Sequence, residues 1–347
     1  MSRPAILVYA GAELMGDGFI KLPFIRALRA GFPDASISWL AGKDRTVYAG
    51  ALKPLVDGLL DDVIEAPITG SAIGISAREL VGRRPLADRR FELVIDSQSR
   101  VLTSLILRRV HHRRFISPAA QFLLSDRRPR RGYRKPAHLH YRLLDLVALA
   151  TGQWIEPPPP APLPADVRLQ AAHLLPDGPT YVGYAPGAGN RFKCWPLERY
   201  IALAERQAAR GRVPVLILGP AEATWHDAIA AALPTARFPN QDATAAGIAT
   251  SPLLTLGLAQ RLVAAVANDG GGGHILAESG VPLVSLWGPT AVAKAYPMAR
   301  RLKLVTAQQF GGDAMTAIPV DAVETALETL LADPTADDKP AVVSQAL

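Results

Sequence analysis

Three glycine-rich segments carry charged side chains at spacings suited to activating or holding a ligand. The first is Gly11-Ala-Glu-Leu-Met-Gly-Asp-Gly18, between an apolar run and a helical pattern. Gly16 and Gly18 let a ligand approach the backbone closely. Asp17 is open to two readings, an N-cap aspartate or a general base at the mouth of a cleft. The spacing departs from the dinucleotide fingerprint, and no clear acidic residue ends the next strand, so nicotinamide binding is not expected. The second segment is Ala185-Pro-Gly-Ala-Gly-Asn-Arg-Phe-Lys-Cys-Trp-Pro196. Gly187, Ala188 and Gly189 free backbone N–H groups to face an anion, and Arg191 and Lys193 add positive charge. It is a phosphate-binding pattern without the Gly-Lys-Ser/Thr of a Walker A loop. Trp195 reads as packing and Cys194 as an inert thiol. The third is Asn268-Asp-Gly-Gly-Gly-Gly-His274. Four successive glycines are costly in conformational entropy, and what they offer in return is a helix N-terminus open to phosphate. Gly270, Gly271 and Gly272 present amides, Asp269 suits a sugar hydroxyl, and His274 suits a phosphate or a turn.

The elements that must position these loops alternate in type. Strand patterns cover residues 5–9, 36–40, 63–65 and 91–96, and helical spacing runs through Leu22, Ile25 and Leu28. The second half repeats the alternation: strands at 181–185, 213–218, 264–268 and 282–287, helices at 197–209, 222–233, 253–263, 273–279 and 320–331. Strands separated by helices predict a parallel sheet covered on both faces. Between the halves lies Glu156-Pro-Pro-Pro-Pro-Ala-Pro-Leu-Pro164, which can continue neither a helix nor a central strand. The expected organisation is therefore an α/β pair of Rossmann-like, doubly wound domains facing each other across a cleft. The expected bounds are 1–156, a linker over 157–166, 167–332, and a mobile tail over 333–347. Ligands of open α/β sheets bind at the carboxyl ends of the strands, here in the cleft.

Composition narrows the partners. Of 347 residues, 49% are hydrophobic and 20% charged, a globular balance. No apolar run reaches the roughly 18–20 residues of a membrane span. The first apolar run is short and is followed by Glu13 and Asp17, so it reads as a buried strand rather than a signal peptide. One cysteine excludes a disulfide framework and a cysteine-rich zinc site, and a cytoplasmic setting is expected. The net charge of +7 is uneven: Arg108–Arg142 holds eleven Arg or Lys residues against one acid, Asp126. Such a stretch suits an anionic glycan or an anionic lipid surface, or is simply a solvated face. It contains no recognition motif and no set of stacking aromatics, so nucleic acid is not an expected partner.

In this order the segments resemble glycosyltransferase family 9, the ADP-heptose:lipopolysaccharide heptosyltransferases. Gly16-Asp17 with Leu22-Pro23 and Gly31-Phe32-Pro33-Asp34-Ala35 resembles the family's opening. Phe91–Asp96 with Gln98 resembles its Asp-Leu-Val-Ile-Asp-x-Gln strand, and His138 with Arg142 its His-x-x-x-Arg helix start. Pro186-Gly-Ala188 with Lys193-x-Trp-Pro196, then Asn268-Asp269-Gly-Gly-x-x-His274 and Gly288-Pro-Thr290, resemble its donor loops. The resemblance implies a GT-B fold, with the acceptor on the first domain and the nucleotide sugar on the second. It implies inverting transfer with no obligatory metal or cofactor, the ADP-sugar being a substrate. Asp17 falls on the family's base, Lys193 on its phosphate-loop lysine, Asp269 on its donor-loop aspartate, and Glu222 on a ribose-holding position. The acceptor side would comprise Gly16, Asp96, Gln98 and the basic Arg130, Arg131 and Arg134. The acceptor would be an anionic glycan or glycolipid, met at the cytoplasmic face of the inner membrane. The chain departs from the family at Gly270, usually Ser or Thr, at Ala291, often Asp, and at Ser99, usually Gly. The alternatives are another donor or acceptor on the same fold, and an inactive nucleotide-sugar-binding relative.

Overall fold

The computed structural model describes residues 3–11, 13, 15–42, 45–65, 80–81, 84–332 and 346. The chain divides into two compact units, Met1–Pro159 with Val342–Leu347, and Pro160–Ala341. The division falls inside the proline run, where Pro158 accepts a hydrogen bond from Arg26 Nε at 2.8 Å.

The first unit contains β1 (Ala5–Ala10), α1 (Met15–Gly31), β2 (Ser36–Ala41), α2 (Lys53–Val56) and β3 (Asp62–Ile64). It continues with β4 (Arg90–Asp96), α3 (Val101–Leu107), β5 (His111–Ile116) and α4 (Leu139–Thr151). Its five strands form one parallel sheet in the order β3-β2-β1-β4-β5. Central β1 is almost wholly buried, as its unbroken apolar run requires of a strand covered on both faces.

The second unit contains α5 (Ala165–Leu174), β6 (Tyr181–Ala185), α6 (Leu197–Ala208), β7 (Val213–Leu216), α7 (His226–Ala232) and α8 (Pro239–Ala245). Then follow α9 (Pro252–Ala259), β8 (Ala264–Asn268), α10 (Gly271–Ser279), β9 (Leu283–Trp287), β10 (Leu302–Thr306) and α11 (Val320–Ala332). Its sheet is also parallel, in the order β10-β9-β8-β6-β7. Both sheets are doubly wound, but their strand orders differ. The order reverses between β1 and β4 in one and between β6 and β8 in the other. At such a reversal the loops on the two strands diverge and leave a crevice at their carboxyl ends.

Several expected elements are corrected. The helix expected over 222–233 breaks into a 3₁₀ turn, Pro220–Trp225, and α7. The break follows from Glu222, which folds back to accept the Gly219 N–H at 3.1 Å. The helix expected over 253–263 ends at Ala259, and that expected over 273–279 begins two residues earlier, at Gly271. Strand β5, His-His-Arg-Arg-Phe-Ile, escaped the sequence reading because only its last two residues are buried. Most of the expected mobile tail lies outside the described residues. Its Ala346 is buried, and its carbonyl accepts the Arg130 N–H at 3.2 Å. Among the described residues no helix is long and apolar enough to cross a membrane.

Candidate functional site

Each sheet has candidate residues at its reversal point. In the first unit the loop after β1 leads into α1, whose first turn contains Gly16 and Asp17. The helix begins at Met15, so Asp17 is not its N-cap; it sits inside the turn, partly exposed. Across the reversal, Gln98 follows β4. A Cβ on Gly11 would lie 3.0 Å from Gln98 Nε2, so the β1 loop passes close to this carboxamide and a larger residue there would push it aside.

Asp96 does not stand in the crevice, contrary to the expectation that it meets the acceptor. It is fully buried, its Oδ2 accepting from Ser104 Oγ at 2.6 Å and Ser117 Oγ at 2.9 Å. Its Oδ1 accepts from the Gln98 N–H at 2.8 Å. Burial pushes this carboxyl up to about 6, against the three hydrogen bonds that favour the charged form. Asp96 therefore anchors the loop that carries Gln98.

Sequence reasoning missed Glu13. Its carboxylate is fully buried and meets Lys21 Nζ at 2.7 Å, with Lys21 itself only 6% exposed. The other oxygen, Oε2, accepts from Trp39 Nε1 at 3.4 Å and from the Thr46 hydroxyl. This closed network ties the β1 loop to α1, β2 and the segment after β2. Helical spacing alone could have signalled it, because Lys21 falls on the buried face of α1.

The basic stretch is largely spent inside the unit. Arg127 and Arg114 cap carbonyls near the end of α4, of Leu149 and Ala150. Arg142 binds the Pro136 and Ala137 carbonyls, and His138 is the buried N-cap of α4, its Nδ1 accepting the His140 N–H. Arg130, Arg131 and Arg134 are exposed. Lys135, also missed, donates to Ser99 Oγ at 3.3 Å and brings this segment back to the β4 loop.

In the second unit the loops after β6 and β8 meet. Lys193 Nζ lies 2.7 Å from Asp269 Oδ2, and Thr290 donates its hydroxyl to the same oxygen. Lys193 and Asp269, assigned separately to phosphate and sugar, are thus partners of one another. Behind them Asn268 is buried and hydrogen-bonded through both ends of its amide. Its Oδ1 accepts from the Trp195 N–H and the Tyr200 hydroxyl, both at 3.0 Å, and its Nδ2 donates to the Pro186 carbonyl at 2.7 Å. This residue ties both ends of the loop after β6, and helix α6, to the end of β8, and only the fold could reveal it.

The other residues expected on the donor side lie on the loops after β6, β7 and β8. A Cβ on Gly187 would come within 2.5 Å of the Glu222 carboxylate, which places that acid directly against the loop. Arg191 lies over the Trp225 ring, 5.1 Å from its centroid. Gly270 is the N-cap of α10, and a Cβ there would meet Ala188 at an ordinary 3.4 Å. Gly271 and Gly272 open the helix, where the first N–H groups lack intrahelical partners, and His274 is in the same turn. The Gly273 amide is already bonded to the Gly270 carbonyl. The glycines also sit close to their neighbours: a Cβ on Gly273 would stand 3.2 Å from Pro297 and one on Gly272 3.3 Å from Ala185. Burial raises the Cys194 thiol and disfavours its thiolate.

The profile of glycosyltransferase family 9 (heptosyltransferase) matches residues 81–314. No curated protein matches the chain in sequence. Among solved structures, a family 9 glycosyl transferase from Veillonella parvula DSM 2008 superposes with a TM-score of 0.69 at 20% identity, covering 95% of this chain and 97% of that one. ADP-heptose LPS heptosyltransferase II from E. coli gives 0.67 at 18% identity, covering 96% and 100%. E. coli heptosyltransferase WaaC with ADP gives 0.66 at 19%, covering 94% and 99%. These likenesses establish the GT-B fold of two Rossmann-like units.

Proposed function

Because the chain belongs to glycosyltransferase family 9, the heptosyltransferase family, we propose that it moves a heptose or related sugar from an ADP-sugar to an anionic glycan or glycolipid of the lipopolysaccharide-core type. The observation that carries this reading is the Lys193–Asp269–Thr290 group at the reversal point of the second sheet, beside the glycine-led start of α10. The second unit would bind the donor and the first the acceptor.

In this reaction Asp17 takes the proton of an acceptor hydroxyl as the oxygen attacks the anomeric carbon. The bond from that carbon to the diphosphate breaks, ADP leaves with the electron pair, and the configuration inverts. The developing charge on the terminal phosphate requires positive groups held ready before the step. Lys193, Arg191 and the amides of Gly271 and Gly272 supply them. Donor binding exchanges the Lys193–Asp269 contact for a lysine–phosphate one, and Asp269, steadied by Thr290, turns to a sugar hydroxyl. Glu222 holds the ribose. The nucleotide sugar is the substrate, and no resident cofactor or metal is invoked.

The test is a melting-temperature panel of ADP, UDP and GDP, coupled to transfer from ADP-heptose. Ligands that bind the native state raise the melting temperature by mass action. ADP should give the largest shift. Lys193→Ala should lose nucleotide affinity and rate together, on the order of 2–4 kcal/mol in the transition state. A larger shift with UDP would overturn the donor assignment, and unchanged binding and turnover in Lys193→Ala would overturn the role of the lysine.

A further inference from the structure

The first turn of α1, which carries Asp17, is held by a short segment after β2. Pro23 lies inside this helix, and with no N–H it cannot donate to the Phe19 carbonyl one turn back. The turn ahead of the proline is therefore bound less firmly to the rest of α1 by its own backbone, and contacts from outside the helix take a larger share in holding it. Three successive residues, Thr46, Val47 and Tyr48, supply them.

Tyr48 is fully buried, and its hydroxyl donates to the Gly18 carbonyl at 2.7 Å. Its ring stands edge-on to Trp39, with the centroids 5.1 Å apart. Val47 packs where a side chain on Gly18 would go: a Cβ there would come within 2.6 Å of Val47 Cγ2 and 2.7 Å of Leu52 Cδ1. Thr46 gives its hydroxyl to Glu13, and the same carboxylate takes the Lys21 ammonium at 2.7 Å. Glu13 and Lys21 stand four residues before and four residues after Asp17, so the turn is gripped on both sides of the acid. The segment is itself fastened, the Thr46 N–H donating to Glu65 Oε1 at 2.7 Å.

We propose that Tyr48 is a positioning residue for the transfer reaction: through the Gly18 carbonyl it fixes the height and rotation of the turn that presents Asp17 to the acceptor hydroxyl. The proposal rests on the reading of Asp17 as the base. Apolar packing alone lets a helical turn slide or rotate slightly, whereas a hydrogen bond is directional, and a buried phenol needs a partner. A phenylalanine would fill the same space, so the hydroxyl marks the carbonyl beside the base as the point that is fixed. Proton transfer requires hydrogen-bond reach, and a misplacement of about 1 Å can cost on the order of 10²-fold in rate.

The test compares the full-length parent with Tyr48→Phe, Gly18→Ala, Gly18→Ala combined with Val47→Ala, and Asp17→Asn. Each is measured in transfer from ADP-heptose to a heptose-free lipopolysaccharide core and in amide hydrogen exchange. Tyr48→Phe should lower kcat per folded molecule by about tenfold. It should leave KM for ADP-heptose and the ADP-induced melting shift as they are, and speed exchange in the first turns of α1 but not in α11. Gly18→Ala should do the same by pushing the turn off Val47. Adding Val47→Ala should then restore part of the rate, which neither a clash with substrate nor a general loss of stability would allow. Parental kcat or parental exchange in Tyr48→Phe would overturn the proposal, as would a failure of Val47→Ala to rescue Gly18→Ala. Near-parental transfer by Asp17→Asn would overturn the base reading and the proposal with it. Loss of transfer in Asp17→Asn beside parental kcat in Tyr48→Phe would overturn the positioning role alone.

Discussion

At Asp17 the functional and structural roles separate cleanly, because the helix has already begun at Met15. As a first-turn acid the aspartate favours the helix through its dipole by about 0.3–1 kcal/mol. Asp17→Asn should therefore melt close to the parent, keep its ADP shift, and lose about 10²–10⁴-fold in transfer rate, the range for a removed general base. Near-parental transfer would show that another group takes the proton. Asp96 cannot be that group, since it is fully buried. Asp96 makes a different prediction. Its carboxyl titrates at about 6 in the folded chain against 3.8 ordinarily. Between those values the folded protein holds a proton that the unfolded chain has released, so stability from this site falls as pH rises through the window. The loss is on the order of 3 kcal/mol at 1.36 kcal/mol per pH unit. Asp96→Asn has no such proton to lose, so urea midpoints measured from pH 4 to pH 7 should flatten relative to the parent. Parallel profiles would exclude this titration.

Among the elements, α11 shows how a terminal helix is fixed. Its apolar face supplies Val323, Leu327 and Leu330 to the core. Its polar face meets Arg206, Arg210 and Arg212 through Asp321, Glu324 and Glu328. The hydrogen bond from Arg212 holds the Glu328 carboxyl down at about 2, below its ordinary 4.5. The stability this group provides is complete above pH 4.5 and is lost as pH falls toward 2. Glu328→Gln should therefore lower the melting temperature at pH 7 and narrow its gap to the parent as the pH falls from 4.5 toward 2. A pH-independent gap would mean that the helix is held by packing alone.

For the whole molecule, charge is divided by task. Most arginines of the basic stretch terminate helices and loops of the first unit, and Arg130, Arg131 and Arg134 remain exposed on a segment that Lys135 ties to the β4 loop. Changing all three to Glu should weaken binding of a phosphorylated glycan acceptor by an order of magnitude or more. That estimate takes about 1 kcal/mol for each charge near an anionic surface. The ADP-induced shift should stay as it is. Salt should weaken the parent in the same direction. Unaltered acceptor binding by the triple variant would make this face a solvated one.

Periodicity and punctuation alone determined much of this protein. Apolar runs such as 5–9 and 264–268 are strands because they are buried on both faces, and four prolines stop every regular element. The glycine loops were legible because glycine is informative wherever backbone must come close. What the tertiary structure decided is which side chains meet. Lys193 and Asp269 lie 76 residues apart and pair only because β6 and β8 are neighbours. Asn268 looks ordinary in the sequence, since nothing local reveals that both ends of the loop after β6 and helix α6 converge on it. Asp96, which sequence placed with the acceptor, is turned inward by Ser104 and Ser117. The two strand orders were equally hidden. Hydrophobic pattern specifies that a strand is buried but not beside which partner, and that choice rests on long-range packing, which no local window contains.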